Sequence, residues 1–411
     1  MPTRRLFGTG LIKAVLVCLI CVCYTAASAQ YFSLDSGRNR ASMPFKFVRN
    51  LIVIQMRINN RGPFNFVMDT GVGQMLITEP SLVDSINLTR KRSIKISGFG
   101  EGEDYDAYIT SPLKLTMNGL EGHDIPAAIL KTDLLGLSNY AGMRIHGLLG
   151  YEFFNSLAVK IDFSDSTITV GRPGKFKGFK NGSALPLTIE NNRPYIQTNI
   201  TCNDGTETMS KLIVDLGAGH ALSLENMRDR DGFTDHVIAG NLGVGLKGLI
   251  GGYLGRVKGI SLGKYKVRNL IASFPVDSII NSFSVARDGN LGVDLLKKFV
   301  VVFDYANEML YLKSSTGFNE PFEHDMSGLE YYAAGDGFNH VVISRVEPGS
   351  PGEKAGLEKD DEITAINFKP VSSMSLEEID QIFRSRDGRV LFLDIYHDQK
   401  FMALLTLKRR I

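Results

Sequence analysis

Two aspartates lie in similar local sequences, each at the end of an apolar run and each two residues before a glycine. Asp69 lies in FVMDTGVGQMLIT (residues 66–78), and Asp215 lies in KLIVDLGAG (residues 211–219). An Asp close to a Gly is common in ordinary turns, so either residue alone is a weak signal. Two carboxylates held close together share one proton, and such a pair can activate a water molecule while it polarises a carbonyl group.

The chain repeats itself around these aspartates. The segment at residues 147–150 (GLLG) has a counterpart at residues 289–292 (GNLG), and Asp162 has a counterpart in Asp304, both 142 residues further on. Asp69 and Asp215 are 146 residues apart. Each copy also has a glycine-rich hairpin candidate after its Asp, at residues 97–102 and 240–252. The matched spacings predict one structural unit that is used twice.

Composition favours a folded, mainly β protein of more than one domain. The chain has 411 residues with 44% apolar and 22% charged residues, as in a packed globular protein. Its 42 glycines and frequent short apolar runs favour strands joined by turns. The formal net charge of +2 favours neither nucleic acid nor an anionic membrane as the main partner.

The N-terminus has the pattern of a signal peptide over residues 1–29. Arg4 and Arg5 precede an apolar run at residues 14–23, and Ala27-Ser28-Ala29 is a small-residue cleavage site. The run is too short for a full membrane span, which disfavours an uncleaved anchor. We therefore expect an exported protein, periplasmic or secreted, with no stable membrane span after cleavage. Cys202 would be its remaining cysteine, and we expect it to be structural or incidental.

The Asp-Thr-Gly of residues 69–71, the apolar-apolar-Gly block of residues 148–150 and the doubling of the whole unit resemble the pepsin-retropepsin aspartic peptidases. Among these, the likeness is closer to bacterial retropepsin-like proteins that carry two such units in one chain, and the resemblance covers about residues 43–315. It implies two tandem β-barrel lobes, which we name lobe 1 (residues 43–182) and lobe 2 (residues 183–316). It also implies a monomeric aspartic endopeptidase, without metal or cofactor, that acts on peptides or unfolded proteins.

The resemblance assigns roles within this site. Asp69 and Asp215 would form the catalytic pair, with one carboxylate from each lobe. The residues that would support the pair are Thr70, Gly71, Gly217, Gly150 and Gly292. Phe99, in the first glycine-rich hairpin, is the candidate for a flap that closes over substrate.

Three departures from the family pattern stand close to the pair. Leu216 replaces a Thr or Ser whose hydroxyl bonds to the opposite loop, so we expect a looser dyad. Gly73 and Gly219 replace hydroxyl residues that often bond the outer carboxylate oxygens, and Asn290 stands where an apolar residue is usual. These departures leave open a non-catalytic protein of the same fold that only binds peptides. A peptidase that acts as a homodimer through lobe 1 alone is disfavoured, because a second Asp is present in the same chain.

Two further patterns are weaker. Residues 243–248 match G-x-G-x-x-G, but no βαβ pattern surrounds them, and the repeat explains them as the hairpin of lobe 2. The seven histidines show no metal-ligand spacing. His220, five residues after Asp215, could perturb the dyad, although a surface position is the simpler interpretation.

The C-terminal domain, which we define as residues 323–411, resembles bacterial PDZ domains. The motif is VVISRVEPGSPGEKAGL at residues 341–357, in which the turn at residues 348–351 would cap a helix that ends at Gly356. PDZ domains take an extended peptide between a strand and a helix. The residues that would line this groove are Leu329, Glu330, Tyr331, Ile379 and Phe383. The groove could dock substrate C-termini, or the domain could be a rigid cap packed against the lobes.

Overall fold

A computed structural model describes residues 31–411 apart from residues 87, 89, 97–103, 177, 226–235, 246–247 and 277–284. Within these residues the chain consists mainly of β-strands with short helices, so the predicted fold class is confirmed. The predicted signal peptide and the flap candidate Phe99 lie outside the described residues.

The first half of the chain supplies the strands that surround Asp69. These strands are β1 (Phe32–Leu34), β2 (Arg40–Pro44), β3 (Lys46–Val48), β4 (Leu51–Ile58), β5 (Arg61–Met68), β6 (Met75–Ile77), β7 (Lys91–Ile96), β8 (Tyr105–Thr110), β9 (Leu113–Met117), β10 (Leu120–Ile125), β11 (Ala127–Leu130), β12 (Gly147–Leu149), β13 (Ala158–Asp162) and β14 (Thr167–Gly171). The helices are α1 (Leu82–Ser85), α2 (Leu137–Ala141) and α3 (Tyr151–Ser156). One sheet has the strand order β1-β10-β9-β4-β5-β12-β6-β11-β8-β7, with β3 paired to β4. The described strands of the chain thus include β1, which precedes residue 43.

The second half supplies the strands that surround Asp215. These are β15 (Ser183–Pro186), β16 (Thr188–Glu190), β17 (Arg193–Thr201), β18 (Glu207–Val214), β19 (Leu222–Leu224), β20 (Val237–Gly245), β21 (Gly248–Leu262), β22 (Tyr265–Pro275), β23 (Gly289–Leu291), β24 (Phe299–Asp304) and β25 (Met309–Ser314), with helix α4 (Val293–Leu296) and a 3₁₀ turn at Tyr305–Asn307. A second sheet has the order β16-β17-β18-β23-β19-β22-β21-β20.

Both lobes place the same four-strand arrangement around their Asp. In lobe 1, β12 lies parallel to β5 and antiparallel to β6, and β6 lies parallel to β11. In lobe 2, β23 lies parallel to β18 and antiparallel to β19, and β19 lies parallel to β22. Asp69 directly follows β5 and Asp215 directly follows β18. The two carboxylates therefore occupy equivalent positions in the two lobes.

A third sheet joins the lobes through backbone hydrogen bonds. Its order is β15-β25-β24-β13-β14-β2, and its central pair is β13 of lobe 1 with β24 of lobe 2. These strands contribute to one hydrophobic core that contains residues of both lobes, such as Ile54, Phe154, Leu216 and Phe303. A shared sheet and a shared core fix the two Asp loops relative to each other, because a shift of one lobe would break both.

The C-terminal domain has its own sheet and its own core. Its strands are β26 (Leu329–Ala334), β27 (His340–Val346), β28 (Glu362–Ile366), β29 (Lys369–Pro370), β30 (Val390–His397) and β31 (Gln399–Thr406), with helices α5 (Pro351–Lys354) and α6 (Leu376–Phe383) and a 3₁₀ turn at Val371–Ser373. Ser350 accepts the cap bond of α5 from Glu353 N, and Ser375 and Glu378 form a capping box on α6. Helix α5 ends at Lys354, two residues before the predicted Gly356.

Candidate active site

The two Asp loops are held by equivalent backbone hydrogen bonds. Asp69 N donates to Leu149 O over 2.9 Å, and Asp215 N donates to Leu291 O over 2.9 Å. Within each loop the glycine two residues on donates its N–H to the Asp carboxylate, Gly71 to Asp69 Oδ1 and Gly217 to Asp215 Oδ1, both over 2.8 Å. Each carboxylate thus has one oxygen fixed by its own loop.

Glycine is required at four positions because other atoms lie where a Cβ would be. A Cβ on Gly217 would lie 2.3 Å from the carboxyl carbon of Asp69, and one on Gly71 would lie 2.7 Å from Asp215 Oδ2. Gly150 and Gly292 lie below the loops, and a Cβ on either would be within 2.4 Å of a loop carbonyl oxygen. The bare glycine backbones let the two loops face each other at carboxylate contact distance.

The two carboxyl groups form one electrostatic unit. The two side chains lie close enough to interact directly, and both residues are half-buried. Burial, and then the nearby Asp215 carboxylate, raise the pKa of Asp69 well above its usual value. Such a pair titrates as a coupled system in which one proton is shared.

Thr70 is the clamp between the loops. Its buried hydroxyl donates to Val214 O over 2.7 Å and accepts from Leu216 N over 2.9 Å. Leu216 has no hydroxyl to return these bonds, and its side chain is fully buried in the core shared by the lobes. The predicted loss at Leu216 is therefore a loss of half the clamp, because one hydroxyl can both donate and accept.

We predict that Thr70→Val lowers the free energy of unfolding by about 2–4 kcal/mol. The substitution keeps the shape of the side chain but leaves Val214 O and Leu216 N without their hydroxyl partner, and each unpaired buried group costs about 1–3 kcal/mol. Urea-induced unfolding measures the change. Thr70→Ser retains the hydroxyl and is the matched control. Equal stability of the Val and Ser variants would show that the clamp is not formed.

Asn290 is a site residue whose role the sequence did not predict. Its Nδ2 donates to Asp215 Oδ2 over 2.8 Å, so both oxygens of Asp215 accept an N–H bond. The residue at the equivalent position of lobe 1, 142 residues earlier, is Leu148, which has no donor. The bond to the outer oxygen, expected to be missing at Asp215 because of Gly219, is thus made by an amide. It also makes the pair asymmetric.

We predict that Asn290→Leu moves the acid limb of the activity profile to higher pH by about one to two units. The amide bonds the ionised form of the pair, and a hydrogen bond to a charged group contributes about 1.5–3 kcal/mol. A change of about 1.36 kcal/mol moves the ionisation by one pH unit. Without this bond the pair ionises only at higher pH. The measurement is kcat/KM against pH on a peptide substrate. Asn199→Leu, elsewhere on lobe 2, is the control, and an unshifted profile for Asn290→Leu would contradict the assignment.

His220 lies close to this side of the pair, not in the simpler surface position. Its Nε2 atom is buried and has no hydrogen-bond partner among the described residues. Burial lowers the pKa of His220, which outweighs the opposite effect of the Asp215 carboxylate. With its pKa below the usual value, His220 is neutral near pH 7.

Two asparagines, one in each lobe, each bind the Asp loop of the opposite lobe. Asn50, in the turn between β3 and β4, donates from Nδ2 to Gly219 O over 2.7 Å. Asn192, in the turn between β16 and β17, donates from Nδ2 to Gly73 O over 3.1 Å. The two asparagines are 142 residues apart, so the repeat spacing was a signal that could have found them. Arg193 adds a bond from Nε to Gly71 O of 2.6 Å.

The predicted groove residues of the C-terminal domain lie largely in its core. Ile379 and Phe383 are fully buried there, and Leu329 and Tyr331 are nearly so. Glu330 is half-buried and pairs with Arg345. The residues of α6 that contact lobe 1 are instead Leu376, Glu377 and Asp380.

Among the residues that the structure describes, no cluster of three or more His, Cys, Asp or Glu side chains could hold a metal ion. No helix in the described ranges is both long and apolar enough to cross a membrane.

Comparisons with known proteins match two segments of the chain. Residues 54–153 match a family model described as aspartyl protease, a segment that runs from β4 into α3 and includes Asp69 and Gly150. Residues 342–396 match a family model described as PDZ domain. No curated protein matches the sequence.

Proposed function

We propose that this chain, which contains an aspartyl protease domain and a C-terminal PDZ domain, is an exported aspartic-type endopeptidase that cleaves peptides or unfolded proteins. The observation that carries the proposal is the pair formed by Asp69 and Asp215. These carboxyl groups come from equivalent loops and lie beside each other, on residues that are half-buried. Two carboxyl groups in such contact can hold a nucleophilic water and a proton donor at one place.

The hydrogen bonds support a different role for each carboxyl group. Asp215 accepts N–H bonds on both oxygens, from Gly217 and Asn290, so both of its oxygens are engaged as acceptors. Asp69 has a raised pKa because of burial and of the neighbouring negative charge. The shared proton therefore resides on Asp69, which acts as the acid, and Asp215 acts as the base.

These roles define a balanced reaction. Asp215 takes a proton from a water molecule as the water oxygen bonds to the carbonyl carbon, and Asp69 gives its proton to the carbonyl oxygen. In the tetrahedral intermediate the C–N bond then breaks. The leaving nitrogen takes the proton from Asp215, and a hydroxyl of the intermediate returns a proton to Asp69. The products are a carboxyl terminus and an amine, and both side chains regain their starting forms.

Export is supported by the signal-peptide pattern of residues 1–29, and the presence of both aspartates in one chain supports a monomer. We assign the C-terminal domain no role in binding substrate C-termini, because lobe 1 packs against β26 and α6. Docking of substrate C-termini by this domain stays a prediction from the sequence.

The test is hydrolysis of a reduced, denatured protein across pH 3 to 8 by the purified chain without residues 1–29. Mass spectrometry should detect new fragments, and in ¹⁸O-labelled water each new carboxyl terminus should gain one labelled oxygen without a covalent enzyme intermediate. Reagents that acylate serine or alkylate cysteine should leave the rate unchanged. The absence of fragments at every pH, or a trapped acyl-enzyme, would overturn the proposal.

A further inference from the structure

The turn between β3 and β4 joins lobe 1 to the C-terminal domain through one arginine. Arg49 Nε donates to Asp380 Oδ2 over 3.0 Å, and its Nη2 donates to Asp380 Oδ1 over 3.2 Å. Its Nη1 donates to the carbonyls of Tyr140 and Tyr331, and the guanidinium lies over both of their rings, 4.5 and 5.0 Å from the centroids. The side chains of Arg49 and Asp380 are 11% and 9% exposed, so this is a buried, bidentate ion pair.

The contact fills the space where a PDZ domain takes a peptide. A Cβ on Gly142, just after α2 of lobe 1, would lie 3.2 Å from Leu376 of α6 and 3.6 Å from Ala333 of β26. Glu377 of the same helix accepts a bond from Arg49 N over 3.1 Å. Lobe 1 therefore lies between the strand and the helix that would hold an extended peptide.

The loop before β26 is also occupied. The N–H groups of Ser327 and Gly328 donate to Asp325 Oδ1 over 2.9 and 2.7 Å, and Leu329 N donates to Ser327 Oγ over 3.1 Å. An internal carboxylate thus takes the donors that a free C-terminal carboxylate would need. The groove as built fits a segment of its own chain.

The next residue of the same turn reaches the Asp215 loop. Arg49 and Asn50 both have left-handed backbones, with φ of 46° and 63°. Asn50 Nδ2 donates to Gly219 O, four residues after Asp215, and its Oδ1 accepts from Lys297 Nζ over 3.1 Å. Two adjacent residues therefore connect the C-terminal domain to one of the catalytic loops.

The other lobe provides a natural comparison. Asn192 makes the equivalent amide bond to Gly73 O, from a turn whose residues 191 and 192 have φ of 52° and 62°. That bond runs from lobe 2 to lobe 1, whereas the residue before Asn50 is anchored in the C-terminal domain. The two turns differ in this anchor and share their bond to an Asp loop.

We propose that the Arg49–Asn50 turn is a positioning element through which the docked C-terminal domain holds the Asp215 loop. The groove of the domain then serves an internal segment of the same chain instead of free C-termini. For its effect on catalysis, this inference rests on the proposed function. Its effect on the loop does not depend on activity.

Hydrogen exchange measured by mass spectrometry tests the coupling. Asp380→Asn should raise the exchange of peptides covering residues 216–221 about tenfold, which corresponds to the loss of about one hydrogen bond's free energy, and should leave residues 70–75 unchanged. Asn50→Ala should give the same result. Asn192→Ala should show the reverse, with faster exchange at residues 70–75. Thermal unfolding confirms that each variant is folded. Unchanged exchange at residues 216–221 in folded Asp380→Asn would overturn the proposal.

Kinetics supply the second readout, provided that the wild-type chain cleaves. Asp380→Asn and Asn50→Ala should each lower kcat about tenfold with little change in KM, and the double variant should be no worse than either. Asp380→Asn combined with Asn192→Ala should instead multiply the two losses, because those bonds are independent. Multiplied losses for Asp380→Asn with Asn50→Ala would contradict a shared path. An inactive wild type with the expected exchange pattern would refute the proposed function and leave the coupling standing.

Discussion

Replacing either carboxylate with its isosteric amide, in Asp69→Asn or Asp215→Asn, is expected to lower kcat/KM on a peptide substrate by at least about 10³-fold. Asp69→Asn removes the acidic proton that the carbonyl oxygen would accept. Asp215→Asn removes the base, and its amide would also face the donor group of Asn290, which now bonds Oδ2 over 2.8 Å. The measurement is the initial rate of cleavage of a quenched fluorescent peptide at the optimum pH of the wild type.

The matched control for these variants is Asp360→Asn, an exposed carboxylate of the C-terminal domain. The double variant should lose no more activity than either single variant, because the two groups act as one unit. Equal residual cleavage in wild type, Asp69→Asn and Asp215→Asn would contradict the dyad. Loss in Asp69→Asn alone would instead support the homodimer that uses lobe 1 only.

The second large effect is expected for Gly217→Ala, which should lower kcat by at least about 100-fold. The added methyl group would lie 2.3 Å from the Asp69 carboxyl carbon, so the carboxyl group must move away from its partner. A displacement on the order of 1 Å at the reacting groups is enough for such a loss. Circular dichroism and thermal unfolding should show a chain that is still folded.

Gly251→Ala is the matched control for this substitution, since no atom lies within 4 Å of the added methyl group and the backbone is not left-handed there. It should retain the wild-type kcat. Wild-type kcat in folded Gly217→Ala would show that the carboxylates do not face each other as the structure places them.

The fold class and the two domain types could be predicted from the sequence, and the matches to aspartyl protease and PDZ family models confirm both domain types. The aspartyl protease match ends at residue 153, before Asp215. The second aspartate was reached through the 142-residue repeat, because equal spacing of glycines and aspartates constrains the geometry more than a single motif does.

The effect of Leu216 could not be predicted, because a hydroxyl's partners depend on the opposite loop. Thr70 alone bonds both Val214 O and Leu216 N, so half of the clamp remains. The role of Asn290 could not be predicted either. In the sequence it is only a polar residue at a position that is usually apolar, and it is the fold that places its amide beside a carboxylate.

The packing of the C-terminal domain against lobe 1 could not be predicted from the sequence, for another reason. Local patterns predict the strands and helices of a domain, but an ion pair such as Arg49 with Asp380 joins residues 331 positions apart. Neither residue type is unusual for a turn or a helix. Asn50 and Asn192 differ in this respect, because asparagine is common wherever the backbone is left-handed but their 142-residue spacing matches the repeat.

In the proposed enzyme, Asp69 and Asp215 of one chain form one catalytic pair. The decisive measurement is cleavage of a denatured protein by wild type, by Asp69→Asn, by Asp215→Asn and by an equimolar mixture of the two variants. Cleavage is expected from wild type alone, because every variant chain has lost half of its own pair. Activity recovered in the mixture, or cleavage by either variant at the wild-type rate, would contradict it.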